Sequence, residues 1–110
     1  MKYEEQLEVV LLISDFYKKL SEEKMHNEVH EKACKLVKNA LDTLSKEQGT
    51  AFDISFTQFM TSMNRLIGLE GLSLYGSPKE QWNMLNLHLE KGLSDFSKSL
   101  TFSRFFGGTM

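Results

Sequence analysis

The sequence predicts an all-α fold: a four-helix bundle of up-down-up-down topology with a short aromatic C-terminal extension. Three observations predict it. Apolar residues recur at helical spacing in four segments, no segment keeps strand-like alternation for more than a few residues, and a single Pro stands in 110 residues. Pro interrupts the hydrogen-bond ladder of a helix, so its scarcity leaves room for long ones. A chain of this length has the size of one domain and buries roughly 65% of its unfolded surface, enough for a core without staples. The helices are expected at residues 2–20, 27–46, 54–68 and 78–100, with a tail at 101–110, all in a single domain.

The first segment contains neither Gly nor Pro. Its polar residues Glu4, Glu8, Asp15 and Lys19 form one narrow stripe. Tyr3, Leu7, Val9, Val10, Leu11, Ile13, Phe16, Tyr17 and Leu20 cover a wide apolar arc. A helix apolar over so much of its surface is either central in its bundle or covered in part by another molecule. Ser21-Glu22-Glu23 then supplies a turn with capping chemistry.

In the second segment Val29, Ala33, Leu36, Val37, Ala40 and Leu44 recur at helical spacing, opposite Glu28, Glu31, Lys32, Lys35, Lys38 and Asp42. Glu28 with Lys32 and Glu31 with Lys35 are i, i+4 pairs that stabilise a helix by roughly 0.2–0.5 kcal/mol each. Gly49 is the expected stop.

The third segment is expected to begin at Asp53 or Ser55, where Ser55 and Gln58 fit a capping box. Phe52, Phe56, Phe59, Met60, Met63 and Ile67 share one face, and Gln58, Thr61, Ser62 and Arg65 the other. Between Ala51 and Gly76 only Asp53, Arg65 and Glu70 are charged, which marks this helix as buried or interfacial. Gly68, Gly71 and Gly76 make residues 69–76 a loop.

The fourth segment opens on Ser77-Pro78-Lys79-Glu80, with an N-cap Ser, Pro at the first helical position and Glu three residues past the cap. Trp82, Leu85, Leu89, Leu93, Phe96 and Leu100 follow on one stripe, which Gly92 interrupts.

Composition narrows the function. Hydrophobic residues make up 41% and charged residues 25%, ordinary for a globular chain. The formal net charge of −2 gives no general attraction to nucleic acid or anionic lipid. The basic residues Lys32, Lys35 and Lys38 have acidic neighbours, so nucleic acid is not an expected partner. The longest apolar run, Val9 to Ile13, is far too short to span a bilayer, and Met1-Lys2-Tyr3-Glu4-Glu5 is too acidic for a signal-peptide start. With one Cys no internal disulfide forms. The expected location is cytoplasmic and no membrane partner is expected.

Two constellations carry the chemistry that the residues offer. His26, His30 and Cys34 stand at i, i+4 and i+8, and imidazole with thiolate suits Zn²⁺. The stretch His26-Asn27-Glu28-Val29-His30 departs from the zincin pattern, because its Glu follows the first His by two places. The three residues are expected at the margin of the core, with no metal or other cofactor. Lys35, Lys38 and His30 near Cys34 would mildly favour its thiolate, but the sequence offers no orienting third group for catalysis. The second constellation, His88-Leu89-Glu90-Lys91-Gly92, resembles part of the H-x-x-K-G signature of histidine phosphotransfer domains. That resemblance implies a phosphoryl-accepting His88 with Lys91 and Gly92 beside it. Glu90 departs from the apolar residue usual there, and too little chain follows for the family's next helix.

Three surfaces point to recognition instead: the wide arc of the first helix, Met84 and Leu87 pointing away from the fourth helix's stripe, and a tail holding Phe102, Arg104, Phe105 and Phe106. Aromatics, Met and Arg are enriched at interface cores. The expected function is a non-enzymatic protein-interaction module, an adaptor, inhibitor or immunity-type protein whose partner is another protein or a second copy of itself as a homodimer. Its size and architecture are similar to those of soluble bacteriocin-immunity bundles, a likeness of fold alone. The alternatives are a phosphotransfer-like signalling bundle using His88, or His30 with Cys34, and a carrier of small molecules or lipids with a Phe/Met-lined interhelical cavity.

Overall fold

Stretches with apolar residues at helical spacing form helices in the part of the chain that the computed structural model describes, residues 1–23 and 27–91. The elements are α1 (Tyr3–Ser21), α2 (Glu28–Leu44), α3 (Gly49–Gly68) and a fourth helix, α4, over residues 76–91. The described residues include no strand.

Each helix buries one stripe. Val9, Ile13, Phe16 and Leu20 of α1 meet Ala33, Val37, Ala40 and Leu44 of α2 in a core completed by Phe52, Phe56, Phe59, Met60 and Met63 of α3 and by Trp82 and Leu85 of α4. Fully burying one such side chain stabilises the fold by about 1.5–3 kcal/mol, so this stripe pattern is what holds the helices together. Contacts join α1 to α2 and α2 to α3. The α1–α4 junction is defined by named pairs. The Phe16 and Trp82 rings lie 6.0 Å apart, Gln81 donates to Asp15 at 3.1 Å, and His88 stands 3.6 Å from Glu8. Residue 15 with 81 and residue 8 with 88 define one antiparallel register. The Met1 ammonium group, 3.0 Å from Asp53, joins the start of α1 to the first turns of α3. These pairings support the bundle arrangement in part. The expected leucine and phenylalanine continuation of the α4 stripe, Leu93, Phe96 and Leu100, lies outside the described residues, as does the aromatic tail at 101–110.

Several boundaries differ from those the sequence predicts. Ser21 belongs to the last turn of α1, where its hydroxyl donates to the Tyr17 carbonyl at 2.7 Å. The cap of α2 is Asn27, whose Oδ1 accepts from the His30 amide at 2.8 Å. α2 ends at Leu44, two residues early, and Gly49 opens α3 instead of stopping α2. The backbone of Gly49 has φ +62°, a conformation that side chains with a Cβ rarely adopt. The Ser55–Gln58 capping box is not a helix start. Phe52 is fully buried against the core and its ring lies 6.3 Å from that of Phe56, so burial draws the preceding turn into the helix. At the far end Leu66, not Ile67, is buried. Residues 69–75 connect α3 to α4 as expected. Leu72 is buried in that connection and donates its amide to the Leu66 carbonyl at 2.9 Å. α4 begins at residue 76, so Ser77 lies inside its first turn, and Pro78 is buried.

Candidate functional site

α1 is not central, and the excess of its apolar arc faces outward. Val9, Ile13 and Phe16 are fully buried, whereas Tyr3, Leu7 and Leu11 remain 59%, 48% and 69% exposed. The three exposed residues stand at i, i+4 and i+8, one above another on the face opposite the core. Across the α1–α4 junction Met84 and Leu87 are 49% and 65% exposed, as their position off the α4 stripe predicts. The antiparallel register sets residues 11 and 12 of α1 level with 84 and 85 of α4. Exposed Leu11 and exposed Met84 therefore flank the same stretch of the junction. Phe102, Arg104, Phe105 and Phe106, the other residues expected at an interface, lie outside the described residues.

A polar cluster sits beside this face. Lys91 donates to Glu5 Oε1 at 2.9 Å, and His88 Nδ1 lies 3.4 Å from Glu5 Oε2. The Lys91 hydrogen bond, opposed by burial and aided by His88, holds the Glu5 carboxyl below its usual range. Both ring nitrogens of His88 thus face carboxylates, Glu5 on one side and Glu8 on the other. A phosphoryl group on either nitrogen would meet a like charge. The phosphotransfer signature gave no sign of these two residues, because they lie on α1, 83 positions away for Glu5 and 80 for Glu8.

His30 is buried and not at the margin of the core where the sequence places it. Its Nε2 lies 2.9 Å from the Leu20 carbonyl and 3.5 Å from Glu23 Oε2. A carbonyl only accepts, so Nε2 carries the proton, and in the neutral ring Nδ1 is the acceptor facing Cys34 Sγ at 3.8 Å. The structure thus brings His30 and Cys34 together, while His26 lies outside the described residues. Among the described residues no three His, Cys, Asp or Glu side chains are grouped to hold a metal ion. Burial pushes the Cys34 thiol up. A Ser21 hydrogen bond opposes this and the charges of Glu23 and Glu31 add to it. The expected help from Lys35 and Lys38 does not enter: both lysines are exposed, and burial with the charges of Glu23 and Glu31 outweighs the Ser21 bond.

The remaining candidates are peripheral. Lys32 of the basic trio pairs with Glu70 at 3.0 Å, which raises its pKa, and Lys35 and Lys38 are exposed. An open groove of about 250 Å³ runs between α2 and α3, bordered by Leu36, Asn39, Thr43, Gln58, Phe59 and Ser62. It is lined by small polar as well as apolar residues; of the Phe/Met face expected to line a carrier's cavity, Phe59 borders it, and Phe52, Phe56, Met60 and Met63 are packed into the core. Among the described residues no helix is long and apolar enough to cross a membrane. No protein-family model, curated protein or solved structure matches the chain.

Proposed function

We propose that this chain is a non-enzymatic protein-interaction module, an adaptor, inhibitor or immunity-type protein built as an up-down-up-down four-helix bundle. The single observation that carries this is the row Tyr3, Leu7 and Leu11, three large apolar side chains left exposed on one helix face. Isolated exposed apolar residues need no explanation, but three aligned on one helix face, with Met84 and Leu87 exposed on the helix beside it, support a binding surface. Met adds adaptability to such a surface. The aromatic tail is proposed to add Phe102, Phe105 and Phe106, with Arg104, to the same recognition.

The test is affinity capture with the tagged full chain, compared by quantitative mass spectrometry with Leu11→Glu, Leu87→Glu and a chain lacking residues 101–110. Both leucines are exposed, so their replacement leaves the core intact. A specific partner that is retained by the parent chain and lost with Leu11→Glu supports the proposal. An identical capture profile for all four proteins overturns it.

A further inference from the structure

The outer face of α1 carries more than apolar residues, and its order is informative. Glu4, Leu7, Leu11, Ser14 and Lys18 are all exposed and follow one another at spacings of three and four. That is the spacing of a coiled-coil seam. One end of the seam is the acidic Glu4, Leu7 and Leu11 follow, then the small polar Ser14, and the other end is the basic Lys18. Glu4 and Lys18 are separated by fourteen residues, which is about 21 Å along a helix axis. Glu8 and Asp15 lie to one side of the seam, turned toward α4, where Glu8 faces His88 and Asp15 accepts from Gln81.

We infer that the occupant of this face is a second copy of the chain, bound antiparallel, α1 against α1, about a two-fold axis near Leu11. This inference rests on the protein-interaction reading and names its partner. Charge complementarity selects both the partner and the direction. In an antiparallel pair the acidic end of one seam meets the basic end of the other, so Glu4 reaches Lys18 of the copy twice over. The leucines of both copies are enclosed between the two charge pairs. A parallel pair would set Glu4 against Glu4 and Lys18 against Lys18, and like charges in apposition are costly. The two-fold arrangement is closed, because each copy uses the same patch and leaves none for a third. The seam is short, so the association is weak and depends on concentration.

Sedimentation equilibrium of the full chain over a wide concentration range tests this. The expected result is a monomer–dimer equilibrium that Leu11→Glu abolishes. Glu4→Lys or Lys18→Glu alone should weaken it at least about tenfold, because each places like charges together at both ends of the seam. The double variant Glu4→Lys with Lys18→Glu should restore it, since the reversed charges again complement each other. Circular dichroism of each variant should show unchanged helix content, as every substituted position is exposed. A monomer at all concentrations overturns the inference, as does a dimer indifferent to Leu11→Glu or single charge variants that the double variant does not rescue. If the chain is monomeric yet loses a different protein partner with Leu11→Glu, only the self-association fails and the interaction reading stands. A monomer that captures no partner removes both.

Discussion

His30 donates its Nε2 hydrogen to the Leu20 carbonyl, 2.9 Å away, and so ties the first turn of α2 to the last turn of α1. The last carbonyls of a helix have no partner within it. At the point where the chain reverses, the Leu20 carbonyl accepts from the Glu23 amide at 3.3 Å, and the buried imidazole adds a second, shorter bond. The same ring meets Cys34 through its other nitrogen. The arrangement explains a buried polar residue in an apolar core: its hydrogen bonds are made, so its burial is tolerated.

Replacing His30 with Ala should therefore cost about 2–4 kcal/mol, from the cavity and from the loss of the bond to the Leu20 carbonyl, which keeps only the longer one from the Glu23 amide. His30→Gln, whose amide nitrogen reaches the position of Nε2, should lose less than half as much. Urea unfolding followed by circular dichroism measures both. Equal losses for the two variants would show that packing alone, and not the bond to Leu20, sets the cost.

Cys34 tests the same neighbourhood chemically. Burial and the nearby acidic groups disfavour its thiolate, so alkylation by iodoacetamide near neutral pH should be at least about tenfold slower than that of a free thiol. The rate should rise with pH along a curve displaced above that of free cysteine, and urea should abolish the difference. A native rate matching or exceeding that of free thiol would contradict the thiol's placement.

Glu5 predicts an acid dependence. Lys91, with His88, keeps its folded carboxyl below the ordinary carboxylate range, against the effect of burial. The depressed pKa means that the folded state holds its proton less tightly than the unfolded chain. The stabilisation is fully present above the unfolded pKa and is lost as pH falls through the folded one. Glu5→Gln should be less stable than the parent near neutral pH, by about 1 kcal/mol given the exposed lysine partner. The gap should hold down to about pH 5 and then close as the parent's carboxylate is protonated. A gap that widens in acid would reverse the sign and refute the assignment.

How much of this could be read from the sequence depends on the range of the interaction. The core stripes are local: Val9, Ile13 and Phe16 repeat with the helix turn, and so do Ala33, Val37 and Ala40, and all are buried. The surplus on α1 was legible too, because too many apolar residues for one stripe leave some outside. Which ones stay outside was not, since that depends on where α2 and α4 approach. The Glu5–His88–Lys91 cluster was invisible for the same reason: two helices at opposite ends of the described chain supply it. α3 shows local signals losing to packing. Ser55 and Gln58 carry capping chemistry, but burial of Phe52 places them inside the helix.

Two glycines should respond oppositely to the same substitution. Gly49 and Gly68 open and close α3, and a Cβ added to either meets nothing within 4 Å, so crowding does not enter. Gly49 has φ +62°, whereas Gly68 does not have a positive φ. An Ala at position 49 must adopt a left-handed backbone, at a cost of about 1–2 kcal/mol. At position 68 Ala keeps the native backbone and loses less freedom on folding, which should stabilise by about 0.4–1 kcal/mol. Thermal unfolding should show a lower midpoint for Gly49→Ala and a higher one for Gly68→Ala. Equal shifts in one direction would mean that the α2–α3 turn relaxes out of the left-handed conformation, since that backbone angle is what separates the two sites.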